Sequence, residues 1–255
     1  MSSSAERAAD GRYEGLRGDD LEARLALPKV AVFDRVGSTL DVAHEIAAAG
    51  APAGTLVLAD AQTAGRGRLG RSWRSQPGAG IWLTIIERPV DARALDVLSL
   101  RVGLALAPAL DAFARDRVQL KWPNDLYVAG HKLAGVLIEA RWRDATPEWV
   151  AIGVGVNVRT PVGEPNAIGL RDAASRLEVL DTIVAPLRAA ASASGVLSEG
   201  ELASFAGRDL AAGRACLEPI KGRVLGIDAN GELRVEAATG AASVRAGSLV
   251  LEDLS

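Results

Sequence analysis

The chain has 255 residues, 49% of them hydrophobic, with a mean hydropathy of +0.14. That is enough apolar side chain for one sizeable α/β domain or for a catalytic domain with a small appendage. Twenty-nine basic residues against 32 acidic ones leave a net charge of −3, which excludes a polycation built to coat nucleic acid or anionic lipid. The single cysteine, Cys216, excludes an internal disulfide and a cysteine-clustered metal site, and reads as a small apolar filler in a reducing compartment.

Residues 1–28 are studded with acids, among them Glu6, Asp10, Glu14 and Glu22, and lack the basic-then-apolar pattern of a secretory signal. This arm is expected to be loosely ordered apart from a short helix over 20–26. The longest apolar stretch, 102–110, is broken by Gly103 and Pro108 and is too short to span a bilayer, so a cytoplasmic protein is expected. Strands are predicted at 30–33, 55–58 and 81–86. A helix capped by Ser38 is predicted to run to Ala49 and stop at Gly50 before Pro52. Between 59 and 80 apolar periodicity stops for longer than an ordinary connection. Helical spacing returns over 95–114, with a kink expected at Pro108. Strands over 118–122, 132–140 and 149–158 follow, then helices over 170–187 and 199–210. After Gly213 short strands take over, with a hairpin expected at Asp228-Ala229-Asn230-Gly231. The organisation predicted is an arm (1–28), an α+β catalytic unit with a mixed sheet flanked by helices (29–212) and a small β-barrel (213–255).

Three blocks carry chemistry. The first, 62–73, sets Arg66, Arg68 and Arg71 among Gly65, Gly67 and Gly70. Glycines let backbone approach a ligand and adopt positive φ, while guanidiniums clamp phosphate or carboxylate oxygens. No Gly-Lys-Ser/Thr follows, so this is not a nucleotide P-loop. Arginine-glycine runs also occur as flexible or RNA-binding tracts, but those repeat, and this one occurs once between two patterned strands. The second block is Lys121-Trp122-Pro123-Asn124-Asp125-Leu126 followed by Lys132-Leu133-Ala134-Gly135. A strand, a tight turn and a returning strand would bring Lys121, Asn124, Asp125 and Lys132 to one hairpin end. The alternatives are that Asn124 and Asp125 only form the turn and that Lys132 is an edge-strand lysine. In the third, Gly153 and Gly155 alternate with valines before Asn157, leaving one strand face bare for a packed helix or a ligand.

Together these blocks resemble the bacterial biotin protein ligase family, over about residues 30–255. The matching positions are the Ser38-Thr39 pair at a helix start, the 65–71 loop, 121–126 with 132–139, 153–157, and the terminal β unit. The resemblance implies a class II synthetase-like catalytic domain with a C-terminal SH3-like barrel. It implies that ATP, with Mg²⁺, activates biotin as biotinyl-5′-AMP, and that a lysine of a biotin carboxyl carrier protein domain accepts the biotin. It assigns Ser38, Thr39 and Gln62 to the ureido head, with Leu40 and Gly135 in the same pocket. Gly65, Arg66, Gly67 and Arg68 would close over substrate and adenylate, and Lys132 would bridge carboxylate and α-phosphate, making Lys132, Arg66 and Arg68 the catalytic set. Arg66, Arg68, Arg71, Lys121, Asn124, Asp125 and Asn157 would line the nucleotide side, with Trp73 and Trp122 as apolar walls.

Leu40 departs from the asparagine usual in this family. Twenty-eight weakly patterned residues cannot supply the helix-turn-helix of ligases that double as repressors, so a monofunctional enzyme without DNA binding is expected, and exposed sheet edges are compatible with a homodimer. A lipoate or octanoate transferase and a non-enzymatic RNA-binding module are the competing readings. The tryptophan-proline-asparagine-aspartate block argues against the first and the acidic balance against the second. His44 and His131 are the only histidines, which leaves no histidine metal site and no nucleophilic triad, and neither is expected to act chemically. Trp82, Trp142 and Trp149 are expected to pack in the sheet.

Overall fold

A computed structural model of the chain describes residues 11–88 and 91–252. Seven strands form one mixed sheet: β1 (Lys29–Val36), β2 (Thr55–Gln62), β3 (Gly80–Glu87), β4 (Gln119–Lys121), β5 (Asp125–Val128), β6 (His131–Arg143) and β7 (Thr146–Asn157). Their order is β1-β2-β3-β7-β6-β5-β4. Only β1 and β2 run parallel, and the other neighbours pair antiparallel. The two-residue period of β7 decides what each sheet face does. Ile152, Val154 and Val156 join the larger core, which is closed by α3 (Ala94–Asp111) and α4 (Arg176–Ser192). Ala151 points the other way into a second cluster with Leu40, Ala43 and Ala47 of α2 (Thr39–Ala48). Gly153 and Gly155 share that second face, which is where the cleft opens.

Helix α2 begins as expected: Ser38 is extended and its Oγ accepts the Leu40 N–H at 3.3 Å. Helix α3 continues through Pro108. Helix α4 starts at Arg176 rather than 170, because Ser175 caps it by accepting the Glu178 N–H and Leu170 instead donates to the Asn157 carbonyl. The predicted pair of strands around Pro123 is three: β5 lies between β4 and β6. Lys132 is therefore interior to the sheet, and the edge-strand reading fails.

The arm expected to be loose has structure from residue 11. Gly11 donates to the Val32 carbonyl, and α1 (Gly18–Leu25) buries Leu21 while Tyr13 is fully buried before it. Arg24 clasps Asp181 at 2.6 and 2.7 Å, tying α1 to α4. Residues 1–10 lie outside the described residues. Trp82 and Trp149 are buried as expected, whereas Trp142 is 45% exposed, because the end of the β6–β7 hairpin runs past the strands that would cover it.

Helix α5 (Glu199–Ala206) leads to β8 (Ala215–Glu218), β9 (Gly222–Ile227), β10 (Leu233–Ala237), β11 (Gly240–Val244) and β12 (Val250–Leu251). These form an antiparallel five-stranded sheet, β11-β10-β9-β8-β12, in keeping with a small SH3-like domain. The 228–231 turn joins β9 to β10 as predicted. Gly231 is seated beside Leu100 and Val97 of α3, so the second sheet docks on the first unit through the hairpin tip. Cys216 is buried, an apolar filler as expected.

Candidate active site

A cleft of about 220 Å³ opens on the α2 face, and its walls come from all three sequence blocks. Ser38, Thr39, Leu40, Gln62, Arg66, Gly67, Arg68, Arg71, Trp73, Lys121, Trp122, Asn124, Asp125, Lys132 and Gly135 all line it. Two expected residues lie behind the wall. Gly65 accepts the Trp73 N–H through its carbonyl at 2.8 Å, and Asn157 donates from Nδ2 to the Lys132 carbonyl at 3.4 Å.

At one end of the cleft the polar groups, buried at Ser38 and Thr39 and half-buried at Gln62, are already bonded to one another. The Gln62 Oε1 accepts from the Thr39 N–H at 2.9 Å and the Thr39 hydroxyl at 3.2 Å, and Gln62 Nε2 donates to Ser75 at 2.7 Å. The Thr84 hydroxyl donates to Thr39 at 2.9 Å. Ser38 uses its oxygen as an acceptor for the helix cap, which leaves its proton available to a ligand. Leu40 packs on Gly153, 3.2 Å from where a Cβ would stand, so this wall is apolar where the resemblance implies an amide.

At the other end charge dominates. Five cationic side chains, Arg66, Arg68, Arg71, Lys121 and Lys132, line the cleft beside a single carboxylate, Asp125. Lys132 Nζ lies 2.7 Å from Asp125 Oδ1 and 5.1 Å from the Trp73 ring centroid. Its backbone is gripped from the 166–168 segment, with the Lys132 N–H on the Asn166 carbonyl at 2.8 Å and the Ile168 N–H on the Lys132 carbonyl at 2.9 Å. Burial holds the Lys121 ammonium below its ordinary pKa, and Lys132 and Arg71 push it further down against Asp125. Arg68 is lowered by burial first and then by Arg71. Tyr127 is pushed up to about 12 by burial and by Asp125. A cleft that disfavours its own cations in this way gains when an anion enters.

The glycines of the third block make room for Trp73. A Cβ on Gly155 would stand 2.6 Å from the indole, and one on Gly135 would stand 3.1 Å from it. The bare strand face is thus filled twice, by α2 at Gly153 and by the loop's tryptophan at Gly155. The loop itself is a small turn, with the Gly67 N–H on the Arg71 carbonyl at 2.7 Å and Arg66 bridged to Ser72. Its buried Trp73 Nε1 has no acceptor among the described residues.

Sequence reasoning missed Tyr127, hidden in the strand read as a turn, and Gly247, Ser248 and Leu249, which reach the cleft from the C-terminal sheet. Trp122 is tied to that sheet as well, donating from Nε1 to the Gly231 carbonyl at 2.9 Å. No local signal in 245–249 points to a ligand. His44 and His131 lie outside the cleft.

Residues 32–157 match the biotin/lipoate A/B protein ligase family. The bifunctional ligase/repressor BirA of Bacillus spizizenii is 43% identical over 126 residues, 49% of this chain and 39% of that protein. The biotin–[acetyl-CoA-carboxylase] ligase of Mycobacterium tuberculosis is 41% identical over 149 residues, 55% of this chain and 54% of the relative. The chain thus spans about two fifths to about half the length of these curated relatives. The biotin protein ligase of Aquifex aeolicus, solved with biotin and ATP, superposes with a TM-score of 0.71 at 25% identity, covering 88% of this chain and 98% of that one.

Proposed function

We propose that the chain, whose residues 32–157 match the biotin/lipoate A/B protein ligase family, forms biotinyl-5′-AMP from biotin and ATP and passes the biotin to a lysine of a biotin carboxyl carrier protein domain. The observation that carries this reading is the polarity of the cleft, a buried hydrogen-bonding pocket at Ser38, Thr39 and Gln62 that opens into five cations beside one carboxylate. A neutral ureido head with an anionic tail fits that gradient, and so does a second anionic reactant.

In the first step a carboxylate oxygen of biotin attacks the α-phosphorus, a new P–O bond forms, the bond to the β-phosphate oxygen breaks, and pyrophosphate leaves. Two anions must approach, so the barrier falls when fixed cations stand where negative charge gathers. Lys132 holds that position because its backbone is pinned on both sides and the Asp125 carboxylate stands 2.7 Å from its ammonium. Arg68 and Arg71 make no ion pair among the described residues and can turn to phosphate. In the second step the acceptor lysine, as the free amine, attacks the acyl carbonyl, a C–N bond forms, the acyl C–O bond breaks, AMP leaves with that oxygen, and the nitrogen gives up one proton to solvent. Trp73 over Gly155 excludes water from this hydrolysable anhydride.

Among the described residues no cluster of three carboxylate, histidine or cysteine ligands could hold a metal, and the cleft's one acid already pairs with Lys132. Mg²⁺ therefore enters as part of the nucleotide substrate, bound through phosphate oxygens and water. The remaining expectations, a catalytic unit over 29–212, a barrel over 213–255, no DNA binding, a homodimer and a cytoplasmic site of action, belong to this same proposal. No helix among the described residues is long and apolar enough to cross a membrane. The test is pyrophosphate release with MgATP and biotin, lipoate or octanoate in turn. Release with biotin alone is expected, and release with only the linear or dithiolane acids would overturn the substrate assignment.

A further inference from the structure

Arg66 stands apart from the other cations of the cleft because it pairs with two carboxylates at once, both outside the cleft. Its Nη2 lies 2.8 Å from Asp41 Oδ1 and 3.1 Å from Glu139 Oε2. Neither acid lines the cleft. Asp41 sits in the first turn of α2, where the helix dipole favours a carboxylate, and Glu139 is in β6. Both belong to the rigid scaffold, whereas Arg66 belongs to the loop.

Glu139 is in turn oriented from behind. The Trp149 indole N–H can only donate, and it donates to His44 Nδ1 at 3.0 Å. The imidazole proton in this arrangement is on Nε2, which lies 3.0 Å from the same Glu139 Oε2 that Arg66 contacts. A chain of donors thus fixes the acceptor presented to Arg66. The loop end that bears Arg66 is bonded to the end that bears Trp73, through the Arg66–Ser72 bridge and the Trp73 N–H on the Gly65 carbonyl. Holding Arg66 therefore also sets Arg68, Arg71 and the Trp73 ring over the glycine shelf.

We infer that Asp41 and Glu139 are positioning residues that latch the 65–73 loop over the cleft through Arg66, with His44 orienting Glu139. The loop has two anchors: this ion-pair latch on the scaffold and Trp73 stacked on Gly155. Reactants can enter when both release, and the intermediate is retained while both hold. Within the loop the arginines divide the work, Arg66 fastening it and Arg68 and Arg71 facing the anions. The consequence for catalysis rests on the biotin-activating reading, whereas the latch can be observed without it.

Asp41→Asn and Glu139→Gln keep shape and remove charge. In ligand-free protein each should speed amide hydrogen exchange at Gly67 and Trp73 several-fold, with the melting temperature unchanged. In the loaded enzyme each should raise the release rate of the bound adenylate about fivefold, the size suited to a half-exposed pair, with kcat for pyrophosphate formation within about twofold. Glu139→Gln added to Arg66→Ala should change neither readout further. Unchanged exchange in both variants, or additivity with Arg66→Ala, would overturn the latch. Faster exchange in a protein that releases no pyrophosphate with biotin would support the latch and overturn the activity assignment.

Discussion

The two ends of the cleft are built on opposite physical terms. At Ser38, Thr39 and Gln62 the side chains come from scaffold elements, are almost wholly buried at Ser38 and Thr39, and satisfy one another's hydrogen bonds before any ligand arrives. At Arg68, Arg71, Lys121 and Lys132 like charges crowd a half-buried space with one carboxylate among them, and burial and mutual repulsion hold Lys121 and Arg68 below their ordinary pKa. The first arrangement selects, because a head group that cannot match fixed partners leaves them unpaired at a cost. On the proposed reading the second drives chemistry, because its unfavourable charge would be relieved as anionic reactants and their transition state form.

The comparison breaks most sharply at Lys132. Lys132→Ala should lower kcat for biotin-dependent pyrophosphate release by at least ~10²-fold, the scale for losing one fixed charge donor, with biotin KM little moved and the fold intact by circular dichroism. Gln62→Ala should act in the reverse sense. It strips the acceptor from the buried Thr39 N–H, so biotin KM should rise about tenfold or more and stability should fall by ~1–3 kcal/mol, while kcat at saturating biotin changes far less. Gly155→Ala joins the two ends. Its methyl would stand 2.6 Å from the indole, so Trp73 must leave the shelf, and quenching of tryptophan fluorescence by acrylamide should increase along with a several-fold loss of kcat/KM.

The smallest effect on activity is expected at Asp209, outside the cleft. Burial raises its pKa to about 6, opposed by the N–H groups of Ala211 and Ala212. Because this carboxyl binds its proton more tightly folded than unfolded, the cost to stability is absent below the unfolded value of 3.8. It grows as pH rises and is complete above about 6. Asp209→Asn should therefore stabilise the protein by about 1 kcal/mol at pH 8, lose that advantage near pH 4, and leave both KM and kcat as they were. A pH-independent change in denaturant midpoint would contradict the assignment.

Much of the cleft was legible because its residues carry local signatures. The arginines among glycines, the alternating glycines of β7 and the serine cap at α2 each announce their backbone roles, and all converge on one face. What was not legible arises from distant pairing. Strand β5 was hidden because Asn124 and Asp125 favour turns and only Leu126 and Val128 alternate afterwards, too short a pattern to outweigh them. Tyr13 and α1 lie in a polar stretch whose order comes from docking on β1 and α4, and Arg176 reaches Glu14 and Asp60 across the chain to secure it. Gly247, Ser248 and Leu249 enter the cleft only because the 228–231 hairpin seats its sheet against α3. The partners of Arg66 are 25 and 73 residues away in sequence (66 − 41 and 139 − 66), so its fastening role could not be read beside its glycines.

The most direct measurement follows labelled biotin and ATP on the enzyme without any acceptor. A single turnover should leave about one biotinyl-5′-AMP bound per chain, released slowly, and Arg68→Ala should speed its appearance in free solution at least ~10-fold with biotin affinity unchanged. No adenylate on the wild-type protein, or the same release rate from both proteins, would contradict a cationic loop that holds an activated acyl group.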